Sequence, residues 1–247
     1  MNPQRIAPRL LLTVVLLFAG LTSAPFCAGA QTASGGLPPA LEQARRTHDE
    51  TQLGSLEAEL TERLTQNPGD PEIPYQLALV ESWLLDLFER RSDRKAASAT
   101  VDKAIEAVRK SIALKEDSAD THSLLADLYG RKIPFGGMFA GPRYGPKITE
   151  ENKRALALDH KNPRVWASLG RQYFFAPKMF GGDVNKAVES FQKSLTLDAQ
   201  QDETWVWLAR AFQKQGDKPK ARDAVQHALQ LNPQSAFAKY TAASLEK

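Results

Sequence analysis

Four histidines, one cysteine and scattered carboxylates are the residues on which chemistry could rest. His48, His122, His160 and His227 show no H-E-x-x-H or other paired spacing, so no zinc site is expected. Cys27 is the single cysteine and falls in a segment expected to be removed. The mature chain would then have no disulfide, no thiol nucleophile and no sulfur ligand. Neighbouring acids such as Glu116 and Asp117 lie near the end of an expected helix, and no spacing pairs two carboxylates for acid–base work. No G-x-S-x-G elbow occurs. The stretches GRKIPFGGMFAGPRYGPK (Gly130 to Lys147) and FFAPKMFGGD (Phe174 to Asp183) are glycine-rich, yet neither carries a phosphate-loop pattern and no strand precedes them. The expectation is a chain that acts by binding, with no catalytic residues, no metal and no cofactor.

The elements that would position a binding surface begin after an export signal. Met1 to Arg9 carries two arginines and no acid, and Leu10 to Gly20 is apolar apart from Thr13. Ala28-Gly29-Ala30 then supplies small residues in the arrangement that precedes a cleavage site. The apolar run is shorter than the ~20 residues that a membrane-spanning helix needs. Phe26 before Cys27 argues against a lipoprotein signal, and the segment has no Arg-Arg pair. Residues 1–30 therefore read as a signal peptide, and the location as periplasmic or secreted, with no membrane insertion after cleavage. The 247 residues carry a net charge of +3, of which Arg5 and Arg9 leave with the signal. Such a small excess gives no electrostatic case for nucleic acid or an anionic membrane. With 42% hydrophobic and 25% charged residues, disorder throughout and a multispanning membrane protein are excluded.

The remainder repeats itself. Trp205, Leu208, Ala209 and Phe212 are followed by Ala221, Val225, Ala228 and then Pro233. Trp166, Leu169, Gly170 and Tyr173, with Ala187, Phe191 and Ser194, have the same internal spacings, although five extra residues separate the two halves. Apolar residues three and four apart form one helical stripe. The small Ala209 or Gly170 lets a second helix approach closely, and Pro233 ends that helix. Two degenerate units precede these: His122, Leu125, Ala126 and Tyr129 with a partner ending at Ala155 to Asp159, and Pro74, Leu77 and Ala78 with Ala104, Val108, Ser111 and Leu114. A weak first pair spans about 41–66, and 238–247 suits a terminal capping helix.

This pattern resembles the tetratricopeptide repeat (TPR) family, whose 34-residue unit opens with W-x2-L-G-x2-Y. The resemblance covers 39–247 and implies an all-α, right-handed solenoid of about four to five helix pairs, after a flexible leader at 31–38. It departs from a plain array at three insertions between the helices of a pair. The first follows Trp83 and is helical in character. The second, 130–147, has too many Gly and Pro for a regular helix. The third is 174–183. Insertions at one point of consecutive repeats emerge on one edge. Phe135, Met138, Phe139 and Tyr144 are therefore expected to pack with Phe174, Phe175, Met179 and Phe180, as a local minicore or as a binding edge.

The resemblance also implies a concave groove lined by the first helix of each pair. Helical projection places Tyr75, Leu79 and Trp83 there, then Ser123 and Asp127, then Arg164, Arg171 and Phe174, then Val206, Arg210 and Lys214. The C-terminal half is basic with aromatic neighbours, which suits an acidic or carboxylate-bearing partner. The expected function is a non-catalytic scaffold or adaptor for protein or peptide in the cell envelope. The alternatives are a small-molecule-binding solenoid associated with transport, marked by a deep closed pocket under the loops, and a non-catalytic subunit of an envelope enzyme complex.

Overall fold

The computed structural model describes residues 37–115 and 118–246. The expected signal peptide, most of the expected leader, and Glu116 and Asp117 lie outside the described residues. Eleven α-helices follow one another among them: α1 (Pro39–Thr47), α2 (Glu50–Gln66), α3 (Glu72–Arg90), α4 (Arg94–Leu114), α5 (Ala119–Lys132), α6 (Ala140–Leu158), α7 (Pro163–Phe175), α8 (Val184–Leu197), α9 (Asp202–Gln215), α10 (Lys218–Leu231) and α11 (Ala236–Leu245). The pairs α3–α4, α5–α6, α7–α8 and α9–α10 each pack as an antiparallel hairpin, and α11 closes the last unit. The expected all-α TPR-like solenoid is the fold observed.

Local chemistry repeats with the units. Asp93, Asp183 and Asp217 each cap the second helix of a pair by accepting from a backbone N–H of its first turn. The indole Nε1 of Trp166 donates to the carbonyl of His160 at 2.8 Å, and that of Trp205 to Ala199 at 2.9 Å. Each tryptophan thus ties its helix to the end of the preceding unit. Ser111 and Ser194 donate to the carbonyls of Pro71 and Pro163, both at 2.7 Å, fixing the last turn of the second helix on the first turn of its partner. These hydroxyls satisfy carbonyls that a buried interface would otherwise leave unpaired.

The first insertion lengthens both helices of its pair, as its sequence suggests. The second departs from expectation. Only the 3₁₀ turn Ile133–Phe135 and 136–139 stand outside α-helix, and the run from Ala140 to Lys147 is the start of α6. Pro142 sits in the first turn, where its missing N–H has no intrahelical partner to lose. Pro146 is internal. Packing overrides its cost: Ala140 is buried, the Tyr144 ring stacks on Tyr129 with centroids 5.6 Å apart, and Ile148 joins the α3–α5 core. Leu37, expected in the leader, packs on the first core cluster.

One core carboxylate is out of balance. Glu81 of α3 is buried beside Glu57, with Lys103 Nζ 3.7 Å from Oε1, and its Oε2 has no hydrogen-bond partner. Burial and then Glu57 push it up to about 8, with Lys103 opposing. The folded chain holds this proton from about pH 4.5 to about 8, so stability falls as pH rises through that window. Glu81→Gln keeps the shape without the charge. Thermal melts should show the variant more stable than the parent at pH 8 and nearly equal to it at pH 4.5.

Candidate partner-binding groove

The inner face is built from the first helix of each pair. α5 and α7 run parallel and in register, as two ion pairs with the same 44-residue offset show. Arg164 Nη1 meets Asp120 Oδ2 at 3.1 Å, and Arg171 Nε meets Asp127 Oδ1 at 2.9 Å with a second bond to Oδ2. Ser168 also donates to Asp127 at 2.9 Å. Arg131 continues the ladder toward α3, 2.8 Å from both Asp86 and Glu89. Burial works against the charge of Arg164 and Arg171, yet neighbouring groups, Asp120 and Asp127 among them, hold both guanidinium groups above their ordinary value. Asp127, Arg164 and Arg171, all expected to face a partner, are thus partners of the solenoid itself.

The N-terminal part of this face is covered by the chain. Leu41 and Ala44 of α1 are buried with Val80, Trp83 and Leu84 of α3. On its other side α1 reaches the last repeat, 157 residues away in sequence. Arg45 Nη1 binds Asp202 at 2.7 Å and lies 3.5 Å from Glu203. Arg46 donates to the carbonyl of Leu231 at 2.6 Å. Asn232 Nδ2 bonds to the carbonyl of Arg46 at 3.2 Å and to Asp202 at 2.9 Å. His48 lies 3.2 Å from Asp86. Burial pushes Asp86 up, but Arg131 and His48 outweigh it and hold the group below its ordinary value. Trp83 is therefore buried (5% exposed), and Tyr75 (8% exposed) is buried near Arg164 and Asp120, so neither lines an open groove. Ser123 and Val206 are buried as well. Sequence reasoning missed Arg45, Asp202 and Asn232. The Arg45-Arg46 pair on an amphipathic helix was the available signal, but no spacing pointed to its distant target.

The C-terminal end is different. Arg210 of α9 lies among three rings, with Cζ 5.7 Å from Phe174, 4.9 Å from Trp207 and 5.6 Å from Phe237. No carboxylate pairs with it among the described residues, and burial lowers its pKa. Lys214 donates to the carbonyl of Phe174 at 2.7 Å and lies 4.6 Å from that ring. Phe175 packs edge-on against Trp207 and is 62% exposed, while Tyr240 of α11 is 72% exposed. Arg210, Lys214 and Phe174 are the expected groove residues that the structure brings together.

The aromatic residues of the two insertions do not form one cluster. Phe135 and Tyr144 pack on the α3–α5 core, Phe135 under Arg94. Phe174 and Phe175 turn instead to Trp207. Met138, Phe139, Met179 and Phe180 are exposed. Helix formation from Ala140 onward draws Tyr144 inward and leaves Phe139 at the helix start, which is why the expected minicore does not close. The cleft of about 350 Å³ beside this insertion is lined by Arg109, Tyr129, Arg143, Tyr144, Lys147 and acids of α4, an open charged surface and not a closed apolar pocket.

His122 and Glu151 meet at 2.6 Å in the core, and His227 stacks on Trp205. Among the described residues no three His, Cys, Asp or Glu side chains converge as a metal site would require, and no helix is long and apolar enough to cross a membrane.

The family model described as regulator of microtubule dynamics protein 1-3 matches residues 40–247, and the chain belongs to that family. No curated protein matches it. Among solved structures, a thermophilic TPR protein of Thermus thermophilus, TTC0263, is 19% identical, with 84% of this chain and 97% of that chain covered and a TM-score of 0.65. PilF of Pseudomonas aeruginosa is 20% identical over 71% of this chain and 67% of its own, with a TM-score of 0.47. The TPR solenoid is thus shown by likeness to TTC0263 as well as by architecture.

Proposed function

We propose that this member of the regulator of microtubule dynamics protein 1-3 family is an exported, non-catalytic adaptor that holds a protein or peptide partner in the cell envelope. The export signal read from residues 1–30 supports the location. Arg210 carries the reading: its neighbours in the ladder, Arg131, Arg164 and Arg171, each hold an aspartate, whereas Arg210 presents its donors beside exposed Phe175 and Tyr240 with no carboxylate opposite among the described residues. A partner that brings an acidic side chain with an apolar neighbour would complete the series, and a half-desolvated guanidinium among aromatic rings is a strong anchor for it.

Affinity capture from envelope extract tests this. The chain from Gln31 should retain a protein that Arg210→Gln retains at least about tenfold less well, the effect of losing one charge-assisted bond. Equal retention by the variant would remove Arg210 from the site.

A further inference from the structure

Residues 130–147 contain Arg131, Lys132, Arg143 and Lys147 and no acid, and 174–183 contain Lys178 and one acid, Asp183, whose carboxylate is taken up in capping α8. Because α5 and α7 lie parallel and in register, the turns that follow them leave from the same edge of the solenoid. At the tips, Met138 and Phe139 are 84% and 75% exposed, and Met179 and Phe180 are 82% and 65% exposed.

The turns carrying them are held by backbone bonds. In the first, Gly136 donates to Ile133 and Ala140 to Gly137. In the second, Gly182 donates to Pro177 and Asp183 to Tyr173. A Cβ on Gly182 would lie 1.7 Å from the carbonyl oxygen of Ala176, so this loop can close only on glycine. Four large apolar side chains are thus presented to solvent on a built frame, where an ordinary surface would cover them.

Shape and charge name the occupant. Side chains this exposed line no hollow that could seat a peptide; they project. A bilayer interface accepts projecting Phe and Met side chains without a pre-shaped counterpart. Arg143 and Lys178 stand behind the tips, exposed and with no carboxylate partner among the described residues, while Lys132 is already paired to Asp102. We propose that this edge docks the chain on an anionic bilayer surface, with Met138, Phe139, Met179 and Phe180 at the acyl boundary and Arg143 and Lys178 at the level of the lipid phosphates. The contact is peripheral and uses none of the side chains that surround Arg210. The overall charge gave no sign of it, because only Arg143 and Lys178 are concerned and Asp102 and Glu106 line the cleft beside Arg143.

Vesicle sedimentation tests the proposal, using the chain from Gln31, which contains every described element. It should sediment with phosphatidylcholine vesicles containing one-third phosphatidylserine, much less with phosphatidylcholine alone, and less as salt rises. The double variant Phe139→Ser, Phe180→Ser should lower binding at least about tenfold, with its melting temperature unchanged because both rings are already in water. Arg210→Gln should sediment as the parent does, which separates this edge from the groove. Absence of sedimentation, or binding that the double variant leaves intact, overturns the proposal. So does a double variant that loses a captured protein but keeps its vesicle binding, since the edge would then be a protein-docking site.

Discussion

Gly170→Val should destabilise the solenoid by about 3 kcal/mol, at the upper end of the usual range for overpacking a core. A Cβ at this position would stand 2.5 Å from Cε1 of Phe191, and Phe191 is fully buried, so its ring has nowhere to move. The repeats explain why glycine is needed here. At the same helical position the first and last pairs carry Ala78 and Ala209, each 0% exposed, and the facing residues there are Val108 and Val225. Alanine is matched with valine in those units, and glycine with phenylalanine in this one. The double change Gly170→Ala, Phe191→Val should therefore recover stability relative to Gly170→Ala alone, a coupling readable in a double-mutant cycle by urea denaturation. Additive losses would mean that the two residues do not share the contact.

Asp202→Ala should cost a similar amount, about 3 kcal/mol, by a different route. The carboxylate is 2% exposed and accepts from both Arg45 and Asn232, so its removal leaves a partly buried guanidinium and an amide without their main acceptor. It also cuts the main tie between α1 and the last repeat. Hydrogen exchange should then quicken in α1 while the α9–α10 pair keeps its protection. Unchanged exchange in α1 would mean that the apolar contact of Leu41 and Ala44 with α3 suffices to hold it.

These two sites differ in how far they could be read from the sequence. Gly170 lies within a repeat, where spacing alone identifies a small residue facing a second helix. Most of the architecture follows from such local spacing: the four pairs, the lengthened first pair and the terminal helix. The seating of α1 does not. Its bonds join residues 157 to 186 apart, and no periodicity specifies which distant carboxylate an arginine will meet. The same holds for Arg164 and Arg171. Helical projection puts them among the groove candidates, but Asp120 and Asp127 one unit earlier already neutralise them. The run 140–147 is helical against its Gly and Pro content because the stacking of Tyr144 on Tyr129 outweighs local propensity. Arg210 stays legible because Trp207 lies one turn away on α9, although Phe174 comes from α7 and Phe237 from α11.

A partner held at the open end of the groove is the central claim, and cross-linking from that end tests it most directly. A photo-reactive phenylalanine analogue placed at Phe175, exposed and against Trp207, should yield a protein adduct in envelope extract. The adduct should disappear when Arg210→Gln is combined with the label. A label at Phe175 that forms no protein adduct, or an adduct that persists without the Arg210 guanidinium, would contradict the account.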